Sequence, residues 1–367
     1  AGFEVQSLRL ATPPFGQFVA PIDLPDAVQS YAIEAHADGF EYISLGPAGA
    51  DPAEWAVIPA ALGRSDRVFL SGSLTTPNGE LDLANAARCA ETIMALAKLE
   101  PDGFANLRFC ALANVPAYTP FFPAAYAKRE QPAFALALQS ADLALNCFRQ
   151  AKSMDEARQS LIDSVNSNAA RLEAVGKKLE KMYSYEFKGL DFTLAPHPDQ
   201  SASIGRALEA LGMPAFGPHG SLFGSAFLTS ILQQAQYRKV GFNGLMLPVL
   251  EDSTLALRAA EGSLSVTELL MFSAVCGAGL DVIPLPGDTT AEEIYPILLD
   301  LGALALRLNK PLTARLMPIP GKQAGDLTTF DFGYFANSRV MPLRSQKLTG
   351  LMTGSEKIKL PQRETQG

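Results

Sequence analysis

A stretch that the chain uses twice constrains the fold most. Leu280 to Thr290 reads LDVIPLPGDTT, and Leu190 to Ser201 reads LDFTLAPHPDQS. In each copy a Leu-Asp pair opens a short apolar run, a Pro-rich elbow carries an acidic residue (Asp199, Asp288), and a hydroxyl residue then starts an amphipathic segment. That order is strand, rigid loop, helix N-terminus. Loops between the carboxyl end of a strand and the start of a helix are where open and barrel-shaped α/β proteins bind their ligands. Proline fixes φ, so Pro196, Pro198, Pro284 and Pro286 hold the elbow side chains in place. A plainer role is also open to Asp288, since Thr290 and Glu293 have the S/T-x-x-E spacing of a capping box.

The alternation continues outside the repeat. Strands are expected at Phe3–Leu10, Phe40–Leu45, Arg67–Ser71, Asn106–Ala113 and Phe134–Leu138, with helices over Pro25–Ala37, Pro52–Leu62 and Leu81–Leu99. A polar helix from Met154 to Tyr183, opened by Ser153 and Glu156, would reach about 45 Å at 1.5 Å per residue and link two halves. Strands at Leu190–Leu194, Gly244–Val249, Leu280–Ile283 and Thr313–Met317 then alternate with helices at Ser203–Leu211, Ser225–Tyr237, Val266–Cys276 and Ala291–Leu308. The result is one α/β domain over 1–345, with halves at about 1–150 and 185–345 and a loose polar tail over 346–367.

Charged residues make up 19% and hydrophobic residues 48% of the chain, enough for a sizeable core. A net charge of -8, with no basic cluster interleaved with aromatics, argues against a nucleic-acid partner and for a small molecule. No apolar run reaches the ~20 residues of a bilayer span and no signal segment is evident, so no membrane partner and a cytoplasmic location are expected. The four cysteines (Cys89, Cys110, Cys147, Cys276) lack metal-site spacing and read as reduced thiols. A homo-oligomer is expected from the base rate for proteins of this size.

Five segments, APHPDQSASIGRALEALG, FGPHGSLFGSAFLTS, GLMLPVLEDSTLA, CGAGLDVIPLPGDTT and LNKPLTARLMPIPGKQAGD, resemble the domain-of-unknown-function family 711, also called uncharacterised protein family 0210. The resemblance extends to about Met341. It implies the α/β fold of pyruvate formate-lyase, a ten-stranded α/β barrel built from two related five-stranded halves. Related family members look to be encoded beside small ACT-domain proteins, which sense amino acids. Glycyl-radical chemistry is not expected, because Arg339-Val340-Met341-Pro342 has no glycine at the needed place and Gly333-Tyr334 precedes that pair.

The candidate site residues lie at strand ends. Gly217, Gly220 and Ser221 precede an apolar helix and could cradle an anion, with His219 as the nearest acid or base; a structural His219 is the plain alternative. Glu251 and Asp252 would reach the rim shared by Asp199, Asp288 and His197, where crowded carboxylates suit acid–base work or a divalent cation. Arg315 and Lys322 would hold an anionic group, or else form internal ion pairs. Asp326 is a further candidate, and Asn114, Tyr118 and Tyr126 bracket an aromatic loop that walls a pocket or packs over one end of the sheet. The expectation is an enzyme acting on a small anionic metabolite by acid–base or metal-assisted lyase or hydrolase chemistry. The alternative is a non-catalytic metabolite-binding or regulatory protein.

Overall fold

A computed structural model describes residues 2–362. The main sheet has six strands: β1 (Arg9–Ala11), β2 (Tyr42–Ala48), β3 (Val68–Ser73), β5 (Phe109–Ala113), β8 (Gly279–Pro286) and β9 (Leu312–Ile319), in the order β1-β2-β3-β5-β9-β8. The first four are parallel, as right-handed β-α-β units require. β8 and β9 are parallel to each other, and this pair meets the first four antiparallel at the β5–β9 seam, where Ala111 faces Ala314. Two further strands, β6 (Ala133–Gln139) and β7 (Glu186–Ala195), form a separate parallel pair. Among the described residues these ladders form an open, mainly parallel sheet and not a closed barrel.

Pleating sorts the side chains. Ile43, Leu45, Leu70, Phe109, Ala111, Ala314 and Leu316 enter the large core. That core is shared with helices α1 (Leu24–Ala37), α2 (Pro52–Leu62), α3 (Leu83–Leu96) and α10 (Ala291–Arg307). The alternate residues Ser44, Ser71, Cys110 and Arg315 are buried on the opposite, inner face. Two smaller apolar clusters close that face, one of Cys110, Leu112, Val115, Ala124 and Phe242, the other built on Met317, Ile319, Phe330 and Phe335.

The long helix α5 runs from Met154 to Tyr183 as expected, with Ser153 Oγ accepting from Glu156 N–H at 3.1 Å. It buries Ala157, Leu161, Val165, Ala169, Leu172 and Gly176, a stripe at three- and four-residue spacing. Thr290 and Glu293 do form the capping box of α10. Helices α4 (Ala141–Gln150), α6 (Ile204–Glu209), α7 (Ser221–Gln234), α8 (Ser253–Ala260) and α9 (Val266–Phe272) complete the set; α4 and α8 have no counterpart in the sequence reading.

Three expectations need correction. Of the expected Phe3–Leu10 only Arg9 and Leu10 join the sheet, in β1, and Phe3, Val5 and Leu8 lie exposed ahead of it. Gly244–Val249 is not a ladder strand: Pro248, which has no N–H to donate, forms one isolated bridge with Asp281. The tail, expected to be loose, is held as far as it is described. A short strand β10 (Lys357–Lys359) pairs antiparallel with β4 (Glu80–Asp82), and Tyr295 Oη donates to Met352 O at 2.8 Å. The last five positions of that tail, 363–367, lie outside the described residues.

The 244–249 segment passes so close to the turn at Gly277 that a Cβ on Gly244 would overlap backbone atoms of Gly277. Neither side has a flexible side chain to yield. Gly244→Ala is therefore expected to destabilise the fold by about 1–3 kcal/mol, read as a lowered urea midpoint with an unchanged m-value.

Candidate functional site at the buried Arg315

Of the candidates read from the sequence, the fold brings Glu251 and Arg315 together. Arg315 projects from β9 on the inner face, one residue beyond the Ala111–Ala314 pair at the seam. Its Nε donates to Asp281 Oδ1 at 2.6 Å and its Nη2 to Glu251 Oε1 at 2.9 Å. Arg315 and Asp281 are buried, with side-chain exposures of 8% and 7%, whereas Glu251 keeps 24%. Burial disfavours the charged guanidinium, yet Asp281 and Glu251 together hold its proton affinity above the ordinary range. Glu251 is pushed up by burial, and Asp281 adds to this while Arg315 pulls down. The Cys110 thiol beside them is pushed up by burial too, so it stays protonated and is a poor nucleophile.

The surroundings suit a small polar ligand. Arg9 is exposed within electrostatic reach of Glu251, with its guanidinium 5.7 Å from the Tyr42 ring centroid and 5.5 Å from that of Phe122. Phe69 joins the two rings edge to face. Ser71 Oγ, on the β3 residue paired with Cys110, is buried with no hydrogen-bond partner.

The other candidates are dispersed. Asp199 and Asp288 are exposed. Asp288 and Lys322 sit on adjoining loops, joined by Gly287 N–H donating to Lys322 O at 2.9 Å, with Lys322 half-buried. His197 stacks edge to face on Tyr334 and its Nδ1 accepts from Asp199 N–H at 3.3 Å, a local turn contact. His219 is exposed at a loop tip.

The expected anion cradle is spent on itself: Gly217 N–H donates to Ser221 Oγ at 2.8 Å and Ser221 N–H to Pro218 O, while Gly220 takes a left-handed φ of 103°. Asp252 is a structural cap. It accepts from Thr254 and Leu255 N–H at 2.9 Å each and from Ile204 N–H at 2.6 Å, tying α8 to α6. Asp326 accepts from Gln323 N–H. Tyr126 Oη donates to Val115 O, Tyr118 Oη donates to Glu130, and the aromatic loop packs over Cys110, Leu112 and Phe242. Asn114 Nδ2 turns instead to Asn309 Oδ1 at 3.4 Å. Among the described residues no three His, Cys, Asp or Glu side chains gather as a metal-binding group, and no helix is long and apolar enough to cross a membrane.

Asp281 and its twin Asp191 were missed, although both stand in the repeat. Asp191 is fully buried and accepts from Thr193 Oγ1, from Phe242 N–H at 2.7 Å and from Asn243 N–H at 2.9 Å. Burial pushes its carboxyl up to about 6 against those hydrogen bonds. The available signal was an aspartate as the second residue of an otherwise apolar strand, twice over. Such a charge is buried only with partners.

The family model described as Uncharacterised ACR (DUF711) matches residues 1–337. A UPF0210 protein of Pyrobaculum aerophilum is 30% identical over 356 residues, covering 90% of this chain and 77% of its own length. One of Pyrobaculum islandicum is 29% identical with the same coverage. One of Methanopyrus kandleri is 30% identical over 287 residues, 76% of this chain and 63% of its own length.

Two outcomes test this description. Arg315→Ala leaves two carboxylates facing each other and is expected to cost about 3–5 kcal/mol of stability in chemical denaturation. Asp191 binds its proton more tightly folded than unfolded. The stability it contributes is therefore full below its ordinary value of 3.8 and lost as pH rises through about 6. The stability of the wild type relative to Asp191→Asn should accordingly fall between pH 4 and pH 7, as read from urea midpoints.

Proposed function

Starting from the fact that this chain belongs to the Uncharacterised ACR (DUF711) family, we propose that it is an enzyme acting on a small anionic metabolite by acid–base chemistry. Glu251 would be the group that moves the proton. One observation carries this reading: Glu251 shares Arg315 with the buried Asp281, but only through Oε1. Its Oε2 makes no hydrogen bond among the described residues, and its side chain is partly open. Burial favours the neutral acid and Arg315 the carboxylate, opposed forces of the kind that poise a proton donor or acceptor. Asp281 would orient Arg315, which in turn would orient Glu251. Arg9, with Tyr42 and Phe122 beside it, would receive the anionic end of the substrate.

A second reading, a non-catalytic metabolite-binding or regulatory protein, draws on a different observation. Two clefts, of about 500 and 470 Å³, are lined by residues that include Pro116, Gln233, Phe242, Cys276 and Lys310, and Glu251 lines neither of them. With the first reading we also propose a ten-stranded barrel of two halves, supported by the antiparallel seam and by the isolated parallel bridges Leu190–Lys239 and Pro248–Asp281. A crystal structure in which 239–250 pairs with neither β7 nor β8 would end that idea. Cytoplasmic residence and self-association belong to the same proposal, the first supported by four free cysteines. A monomeric mass in light scattering would remove the second.

The enzyme reading is tested by screening the purified protein against small carboxylates, phosphates and amino acids for both thermal shift and consumption. A substrate should be consumed by the wild type and turned over about 10²–10⁴-fold more slowly by Glu251→Gln, while the thermal shift survives. Binding without consumption would favour the second reading. Turnover indifferent to Glu251→Gln would sink the first.

A further inference from the structure

A half-buried cation stands on the wall of the cleft of about 470 Å³, where α7 faces the turns at 274–277 and 308–311. The Lys310 ammonium donates to the carbonyls of Ser273, at 2.8 Å, and of Cys276. Among the described residues no carboxylate lies within 4.0 Å of it. The fully buried guanidiniums are treated differently: Arg108 carries Glu100 at 2.9 Å and Arg315 carries Asp281 at 2.6 Å. A cation taken from water with no counter-charge is costly unless something else supplies one.

The two carbonyls supply part of it. Ser273 is the C-cap of α9 and Cys276 lies in the turn beyond it, and a helix C-terminus carries only about half an elementary negative charge. An ammonium has three N–H bonds, so two carbonyls leave one donor uncommitted. Burial lowers its proton affinity, and the Cys276 side chain pulls the other way without reversing this. The same wall carries Thr229 Oγ1, buried without a hydrogen-bond partner among the described residues, and the amides of Gln233 and Asn309. The cleft volume falls within the ~300–1,000 Å³ range of small-molecule sites.

We propose that this cleft is an anion site, in which Lys310 holds the carboxylate or phosphate oxygen of a small metabolite and the amide-bearing rim meets the remainder. It is separate from Glu251 and stands whether or not the acid–base reading holds. The plain competitor is that Lys310 does no more than cap α9.

Two titrations of the intact protein, with inorganic phosphate and with propionate, followed by NMR of the Lys310 Cε and Nζ resonances, separate these roles and the two oxyanion sources. At least one probe should saturate at a concentration on the order of 10 mM or below and raise the pH at which the ammonium titrates. Lys310→Met should weaken that binding about tenfold or more. If neither probe saturates, or if the ammonium titrates at the same pH with and without saturating probe, the site does not exist and Lys310 is a helix cap. The wild-type titration decides this even if Lys310→Met fails to fold.

Discussion

A guanidinium buried on the inner face of a sheet has to arrive with its counter-charges, and here the guanidinium and its two carboxylates come from three separate parts of the chain. Arg315 lies on β9, Asp281 on β8 and Glu251 at the end of the segment bridged to β8. Each partner alone would be a costly buried charge, so the three are placed together or not at all. That requirement fixes how β8, β9 and the 248–251 turn sit against each other. It also fixes what the inner face can be. With Cys110, Ser71 and Ser44 as neighbours on adjoining strands, the face is polar at its centre and apolar toward both ends.

The contrast between the two sides of the sheet follows from a period of two. Strands such as Ile43-Ser44-Leu45 and Phe109-Cys110-Ala111 send large apolar groups to the helices and small polar groups inward. The helix-covered side is therefore a conventional core. At the centre of the inward side Ser44, Ser71 and Cys110 are short, which leaves room for charge, and Arg315 reaches into that space.

Much of the fold was legible in the sequence because long amphipathic segments declare themselves locally. α5 and α2 match their expected bounds, and β2, β3, β5 and β6 fall within a few residues of theirs. The misses have local causes. Pro248 denied the 244–249 segment a ladder, and β10 could not be foreseen because its partner lies nearly three hundred residues away. The site was less legible. Proline-fixed elbows drew notice to Asp199 and Asp288, which are exposed, while the informative acids stood inside the strands, as Asp191 and Asp281. Glu251 and Arg315 were legible as chemistry; that they pair with each other depends on the 248–251 turn reaching β8 and β9, and pairing across 64 residues leaves no local trace.

The seam also sets a timetable for synthesis. β5 ends at Ala113 and its antiparallel neighbour begins at Leu312, so the ribosome adds about 200 residues between them. At 5–20 residues per second this takes roughly 10–40 s. Throughout that interval the first four strands present an unpaired, apolar edge, the kind of surface that templates strand addition from other chains. Arg315 cannot help until its own strand has emerged, and Cys110 and Ser71 wait uncovered on the other face. That exposure is a hazard of the design that the finished sheet no longer shows.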